Sequence, residues 1–366
     1  MDNQQFGLSP YTVNLPRTAL KQMIAIVRGL QNLSENPLYQ DKLEGVQLNT
    51  LVDSKHYSVL MGYDFHLSES QQVKLIEVNT NAGGLWFAYR CYNPNAQQLP
   101  EKLANKLVNT FLKEYALFCN KQKAKPQLIA IVDEQPSQQF LYPEMQMFAG
   151  LFQRIGIDVV IIDPAEIEAK EAGLYFQGRR IDLIYNRHCD FYLKSDEMRV
   201  VDNAWKKQLV CLTPNPRVYG LLADKQRMVD WSNSEVLNEL LPPKLARYVK
   251  EAVPQTQLLS SFAKDSLWAE RKKWVFKPAN GYASRGVYVG NKLTKNKFNS
   301  LDPQQTLVQR YIKPSVVAVS DEIKFKTDFR LFVYRKETLA VSARLYQGQV
   351  TNLRTKNGGF CRVNVQ

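Results

Sequence analysis

The chain has 366 residues, enough for two or three packed domains, and its 45% hydrophobic and 23% charged residues are ordinary for a globular enzyme. The formal charge of +13 indicates attraction to anions: nucleic acid, an acidic membrane surface, or phosphorylated and carboxylated small molecules. Five scattered cysteines without C-x-x-C spacing disfavour zinc ribbons and disulfide frameworks, and the sequence shows neither a signal peptide nor a membrane-spanning run, so a cytoplasmic protein is expected.

The first third of the chain predicts two helices, near residues 15–31 and 100–121, on either side of two strands. Because side chains alternate along a strand, Glu77 and Asn79 should share one face. If residues 62–67 form the neighbouring strand, Asp64 lies beside Glu77. Carboxylate and amide oxygens suit Mg²⁺, so this trio predicts a metal site. The alternative is a surface Asp, an edge-strand Glu and a turn Asn.

Residues 127–215 have the spacing of a small parallel α/β unit. Continuous apolar runs at 128–132, 159–162 and 181–185 are typical of buried parallel strands, and a helix is predicted near 140–154. The first turn lacks the glycine fingerprint of dinucleotide folds, which argues against a nicotinamide or flavin site.

From residue 216 onward a helix near 218–233 is followed by proline-rich breaks and then by short strands. The predicted strands lie at 274–277, 286–289, 306–309, 330–335 and 339–345, which indicates an antiparallel α+β region.

Several residues of this last region are candidate contacts for a nucleotide. Lys277 ends an apolar strand and precedes a loop whose backbone N–H groups could converge on phosphate, and Lys225 lies in or opens a helix. Main-chain groups after the 306–309 strand could pair with an adenine edge. Alternatively, Lys277 is a snorkelling lysine beside a simple hairpin loop, Lys225 is an ordinary surface lysine, and the segment after the 306–309 strand is a plain linker. The candidates are Lys225, Lys277, Asn280, Gly281, Ser284, Gln309, Arg310, Tyr311 and Ile312.

Two further segments contain charged residues that could take part in binding or catalysis. Asp328 and Arg330 alternate onto one strand face, either as an exposed ion pair or with Asp328 at the nucleotide and Arg330 neutralising a transferred phosphoryl group. Residues 351–360 form a basic loop ending in two glycines, which is often only a solvated loop. Its candidates are Arg354, Lys356, Gly358 and Gly359.

Together these motifs resemble the ATP-grasp ligases. The matching segments are Ile76-Glu77-Val78-Asn79-Thr80 with Gly83-Gly84, Ile184-Tyr185-Asn186-Arg187, Phe276-Lys277-Pro278, and Leu353-Arg354-Thr355-Lys356 with Gly358-Gly359. Because the metal strand precedes the lysine strand, the order is similar to the circularly permuted, eukaryotic-type glutathione synthetases. The loop after Lys277 lacks that family's glutamate and glycine triplet, so Asp64 would have to complete the metal site. Asp328-Phe329-Arg330 also looks like the non-permuted peptide and ribosomal-protein glutamate ligases.

The resemblance implies a circularly permuted ATP-grasp fold, mixed α/β and α+β, with a small parallel α/β substrate domain inserted. The expected domains are 1–126 with the metal strand, 127–215 for substrate, and 216–366 for the nucleotide and its lid. The implied reaction uses ATP and Mg²⁺ to join a carboxylate to an amine through an acyl phosphate. Arg330 and Lys277 would be catalytic, Lys356 would face the nucleotide, and the substrate residues would be Arg187, Arg354, Gly358 and Gly359.

The expected partners are ATP, an acidic amino acid or peptide-like substrate and an amine acceptor, without nucleic acid or membrane. A nucleic-acid-binding protein is disfavoured because no recognition motif occurs. A degenerate ATP-grasp module that binds nucleotide without ligase activity is the main alternative. The oligomeric state stays open, with a homodimer as one alternative.

Overall fold

The structure is a computed structural model that describes residues 7–43, 52, 54–279, 286–320, 323–349, 351–353 and 355–366. Its strands are β1 Leu8–Leu15, β2 Met61–Leu67, β3 Val73–Asn79, β4 Leu128–Val132, β5 Asp158–Ile162, β6 Glu168–Lys170, β7 Gly173–Phe176, β8 Arg179–Arg180, β9 Leu183–Asn186, β10 Cys211–Thr213, β11 Thr256–Leu258, β12 Trp274–Pro278, β13 Tyr288–Val289, β14 Thr306–Arg310, β15 Ser315–Ala318, β16 Lys324–Tyr334, β17 Glu337–Tyr346 and β18 Gly359–Val365. Its α-helices are α1 Arg17–Ser34, α2 Pro37–Lys42, α3 Leu85–Tyr92, α4 Glu101–Phe118, α5 Tyr142–Arg154, α6 Arg199–Lys206, α7 Pro216–Val218, α8 Arg227–Ser232, α9 Ser234–Leu240, α10 Pro243–Ala252, α11 Lys264–Ala269 and α12 Lys295–Asn299.

The largest sheet joins strands from both ends of the chain. Its order is β1-β18-β17-β16-β2-β3, with β15 also paired to β16, and only the β1–β18 pair is parallel. Strands that precede and follow the 127–215 segment therefore meet in one sheet.

One face of this sheet is apolar and the other is polar. Tyr63, Phe65, Phe329 and Leu331 are buried in the core that includes α1 and α10. Because side chains alternate along a strand, the residues between them point to the opposite face. That polar face carries Asp64 on β2 and Arg330 on β16, which are direct cross-strand partners.

The second sheet is wholly parallel, in the order β10-β9-β4-β5. Strands β4, β9 and β10 are buried on both faces and the edge strand β5 is partly buried, with α4 and α5 contributing to the core on one side and α6 to the core on the other. This burial explains why its strands read as continuous apolar runs. The strands span Leu128 to Thr213, within the predicted 127–215 unit, although the domain boundaries themselves stay predictions.

The third sheet is a small antiparallel one, in the order β11-β14-β12-β13. Trp274 and Phe276 point to one face, where they pack with Leu267 of α11 and Phe298 of α12. Alternation sends Lys277 to the opposite face. A three-stranded antiparallel sheet, β6-β7-β8, lies within the parallel unit and was not predicted.

The predicted helices near 15–31, 100–121 and 140–154 are confirmed as α1, α4 and α5. The predicted single helix near 218–233 is wrong. It is divided into α7, a π-helical segment Tyr219–Ala223 and α8, with a turn at 224–226. Lys225 therefore lies in a turn, just before the helix begins at Arg227. Among the described residues, no helix is both long enough and apolar enough to span a membrane.

Candidate nucleotide and metal site

Glu77, Asn79 and Asp64 come together on the polar face, as the sequence predicts. Asp64 and Glu77 are register partners on β2 and β3. The Asn79 Nδ2 lies 3.4 Å from Asp64 Oδ2 and 3.4 Å from Glu77 Oε1. Two strands thus hold three oxygen-bearing side chains in one small area.

Asp64 nevertheless differs from the predicted metal ligand. Arg330 binds it with two parallel hydrogen bonds of 2.6 Å, and the Arg344 Nη2 donates to Oδ2 at 2.9 Å. Burial alone would raise the pKa of Asp64, but the charges of Arg330 and Arg344 outweigh it and hold that pKa well below its usual range. Both oxygens are already used by guanidinium groups. The assignment of Asp64 to the metal stays a prediction, and Glu77 and Asn79, each half-buried, are the more accessible oxygen ligands.

Asp328 and Arg330 do not form the exposed pair considered from the sequence. Both are buried and each pairs with a residue on another strand. Asp328 accepts from the Arg344 Nε at 2.7 Å and from the Thr351 hydroxyl, and its role at a nucleotide stays a prediction. The Arg330 Nη1 also donates to the Gly83 carbonyl at 3.1 Å. Arg330 is therefore engaged with protein groups, which favours a positioning role over direct contact with a phosphoryl group.

Arg344 was missed from the sequence, although a signal was available. Ser342, Arg344 and Tyr346 alternate with buried Ala343 and Leu345 along β17, so a polar face was readable. The sequence does not indicate which strand Arg344 contacts, because Asp64 lies 280 residues away in the chain.

A pocket lies beside Glu77, between β3, the small sheet and the turn before α8. Three predicted nucleotide residues line it, namely Lys225, Lys277 and Gln309. The remaining walls are mostly apolar and include Val78, Leu222, Met228, Trp231 and Leu307. Apolar walls with a few convergent polar groups are typical of a small-molecule site.

Lys277 crosses from the small sheet to the metal strand. Its ammonium donates to Gln309 Oε1 at 2.7 Å and lies 3.4 Å from the Ile76 carbonyl. Burial lowers the pKa of Lys277 to about 8, and the charge of Lys225 adds to this, while Glu77 opposes it. A cation and a carboxylate therefore face the same space, as a metal-bound phosphate chain requires.

The predicted adenine contacts stay predictions, although two backbone N–H groups of that segment are paired within the protein. The Arg310 N–H donates to Gln255 O and the Tyr311 N–H to Lys273 O, both at 2.8 Å. Neither amide is available to a base, and the Arg310 side chain is exposed. Ile312 stays a prediction. Gln309 contributes its side chain, which also donates to the Thr256 hydroxyl at 3.1 Å.

The glycines of the closing loop have a packing role. A Cβ on Gly358 would lie 2.5 Å from Leu345 O, and one on Gly359 would lie 1.9 Å from Gly7 O. Both residues are buried, and β18 begins at Gly359; their assignment as substrate contacts stays a prediction. Lys356 is exposed in a turn. Arg354 lies outside the described residues, as do Asn280, Gly281 and Ser284 of the predicted lid.

Arg187 follows β9 and reaches the turn after the metal strand. Its Nη1 donates to the Asn81 carbonyl at 2.7 Å, and the Asn81 amide donates back to the Arg187 carbonyl at 3.2 Å. Asp190, the local partner considered from the sequence, instead accepts from the Ser195 N–H.

Glu144 is a second residue that sequence reasoning missed. Its buried carboxylate accepts from the Gly84 and Trp86 N–H groups at the start of α3, at 3.0 and 2.8 Å. A carboxylate at a helix N-terminus is stabilised by the unpaired N–H groups there. Arg187, Arg330 and Glu144 thus hold the 81–86 segment from three sides.

Metal binding by Glu77 and Asn79 fits the donor types, since Mg²⁺ prefers oxygen ligands and keeps several waters. In the described part of the chain, no group of three or more His, Cys, Asp or Glu side chains is arranged so that it could hold a metal ion. The protein thus offers Mg²⁺ a partial oxygen set, of the kind completed by substrate phosphates.

Comparison with known proteins agrees with this geometry. Residues 244–362 match the family model described as an ATP-grasp domain. A glutathione synthetase-like effector from Globodera pallida aligns with 12% identity and a TM-score of 0.62, covering 98% of this chain and 90% of the other. A putative gamma-glutamylcysteine synthetase from Methylobacillus flagellatus KT aligns with 9% identity and a TM-score of 0.55, covering 89% and 83%. Comparison with curated proteins gives no match. The chain is thus a mixed α/β protein that carries an ATP-grasp domain and has the fold of glutathione-synthetase-like ATP-grasp proteins.

Proposed function

We propose that this protein is an ATP-dependent ligase that joins a carboxylate to an amine through an acyl phosphate. The observation that carries the proposal is the meeting of Lys277 and Glu77 at one pocket, from two different sheets. Lys277 and Lys225 would bind the ATP phosphates, and the apolar wall near Leu222 and Met228 would take the base.

Glu77 and Asn79 would hold Mg²⁺, which would neutralise phosphate charge when bound. The substrate carboxylate oxygen would attack the γ-phosphorus as ADP leaves. The amine nitrogen would then attack the acyl carbon, phosphate would leave and the amine would lose a proton. Such a transfer depends mainly on positioning and charge neutralisation, which this chain's cations would supply.

Arg187 would orient the substrate carboxylate from the parallel-sheet side, with residues 127–215 serving as the substrate domain. Its buried side chain contacts the turn that follows the metal strand. A guanidinium can hold a carboxylate with two parallel hydrogen bonds. We extend this role to Arg354, on the resemblance of its loop alone.

A coupled ADP-release screen tests the proposal. Purified protein with ATP and Mg²⁺ would be offered pairs of amino acids, dipeptides and acidic peptides, and products would be identified by mass. ADP formation that needs both an acid and an amine, with a product lighter than their sum by one water, is the expected result. ATP binding without ADP release for any pair would instead indicate a nucleotide-binding module without ligase activity.

A further inference from the structure

More than half of the chain's excess positive charge lies in the small-sheet region. Residues 264–310 contain ten Lys or Arg against three Asp or Glu, a net +7 of the total +13. The mechanism proposed above uses only Lys277 of these ten. The remaining positive charge therefore needs a separate explanation.

Most of these cations lie across the small sheet from the nucleotide pocket. Trp274 and Phe276 point toward α11 and α12, whereas Lys277 points to the pocket. The cations carried by α11, α12 and the adjoining turns therefore lie on the outer side and cannot serve the ATP phosphates. We call this set the outer basic surface, and it comprises Lys264, Arg271, Lys272, Lys273, Lys292, Lys295 and Lys297.

The outer basic surface is continuous. The Arg271 guanidinium and the Lys295 ammonium both lie over the Trp268 ring, 4.1 and 4.8 Å from its centroid. The turn at Gly290 packs against the backbone of Arg271, since a Cβ there would meet Arg271 O at 1.8 Å. Two separate chain segments thus present their cations side by side.

Four of these cations lack a neutralising partner. Glu270 pairs with Lys273, and Asp265 lies 4.0 Å from Lys295. Lys264, Lys272, Lys292 and Lys297 are exposed and form no ion pair with any residue that the structure describes. A cluster of unneutralised like charges destabilises the free protein and attracts an anion.

We propose that the outer basic surface binds an acidic segment of a polypeptide substrate. This rests on the proposed ligase function and makes the substrate a polypeptide rather than a free amino acid. Nucleic acid fits less well, because binding a single strand without sequence preference uses open aromatic faces for base stacking. Here cations already cover the Trp268 ring, and Lys297 lies over the Tyr288 ring.

Fluorescence anisotropy with labelled deca-glutamate tests the proposal without any turnover. The triple variant Lys272→Glu, Lys292→Glu, Lys297→Glu should weaken binding at least tenfold. The control triple, Lys121→Glu, Lys123→Glu, Lys207→Glu, removes the same charge from exposed positions elsewhere and should change it less than twofold. Affinity for ATP should stay within twofold in both variants.

Three results would overturn the proposal: no binding of deca-glutamate by the wild-type protein, equal losses in the two triple variants, or tighter binding of a twelve-nucleotide single strand with the same dependence on the outer surface. Because no ligation is measured, an absence of ligase activity would leave the binding result intact, and the two proposals fail separately.

Discussion

Lys277 is a cation whose burial weakens its own charge. An ordinary lysine stays protonated up to a pH near 10.5, whereas burial lowers the pKa of Lys277 to about 8. Because the pKa of this base is lowered in the folded state, its charge is lost as pH rises through about 8. A phosphate chain would restore the charge, so nucleotide binding and protonation should be linked.

We therefore predict that affinity for ATP falls as pH rises from 7 to 9, with a midpoint near pH 8. Lys277→Arg keeps a positive charge over this range and should flatten the profile. Calorimetric titration of ATP at several pH values measures both proteins. A wild-type profile that stays flat up to pH 9 would contradict the assignment of Lys277 to the phosphates.

Glu77 and Asp64 are adjacent carboxylates with different surroundings, and their substitution should have different effects. Glu77→Gln removes an anionic ligand and should raise the Mg²⁺ concentration for half-maximal ATP turnover about tenfold or more, with the melting temperature unchanged. Asp64→Asn leaves the buried Arg330 guanidinium without its carboxylate and removes one of the two carboxylates that Arg344 contacts, so it should cost about 3–5 kcal/mol of unfolding free energy. Mg²⁺ titration and denaturant unfolding of both variants measure the contrast. Similar behaviour of the two variants would show that they share one role.

At the residue scale the sequence was informative about residue type and face, and uninformative about partners. Period-two alternation placed Glu77 and Asn79 on one face and placed Asp64 beside them, which the strand register confirms. It could not show that Arg330 and Arg344 converge on Asp64, because these contacts close loops of 266 and 280 residues. Local periodicity contains no information about such pairings.

At the scale of elements, the sequence predicted long, strongly periodic helices well and missed strands at the sheet edge. β1 contains Pro10, which removes a backbone donor and disguises an edge strand. β18 was missed because its first residue, Gly359, was assigned to the basic loop at residues 351–360. Gly359 has a φ of +95° and lies against the backbone of Gly7, so the close approach of two chain ends requires glycine there.

Gly359→Ala should therefore cost at least about 3 kcal/mol of unfolding free energy, because backbone strain is combined with a backbone clash. Gly178 is the matched control. It has a φ of +76° and no atom within 4 Å of an added Cβ, so Gly178→Ala should cost only about 1–2 kcal/mol. Urea unfolding of both variants measures the difference, and equal losses would remove the close-approach explanation.

At the scale of the molecule, buried polar residues join the large sheet to the parallel unit. Glu114 of α4 accepts from the Tyr57 N–H and the Tyr334 hydroxyl, both at 2.7 Å, and lies 3.0 Å from His56 Nδ1. Glu114→Ala would leave several buried donors unpaired and should cost about 3 kcal/mol or more, measured by thermal unfolding. Stability like the wild type would mean that water replaces the carboxylate.

Arg187 makes the corresponding connection at the site itself, because it follows β9 of the parallel sheet and contacts the turn after β3 of the large sheet. If it also orients the substrate, Arg187→Lys should raise KM for the carboxylate substrate at least tenfold, since an ammonium cannot form two parallel hydrogen bonds. KM for ATP should stay within twofold. Asn81→Ala is the control, because it removes the side chain that donates to the Arg187 carbonyl but keeps the carbonyl that Arg187 contacts. Steady-state kinetics with each substrate varied in turn separates the roles: equal increases in both KM values for Arg187→Lys would mean that Arg187 only holds the turn, and that the carboxylate binds elsewhere.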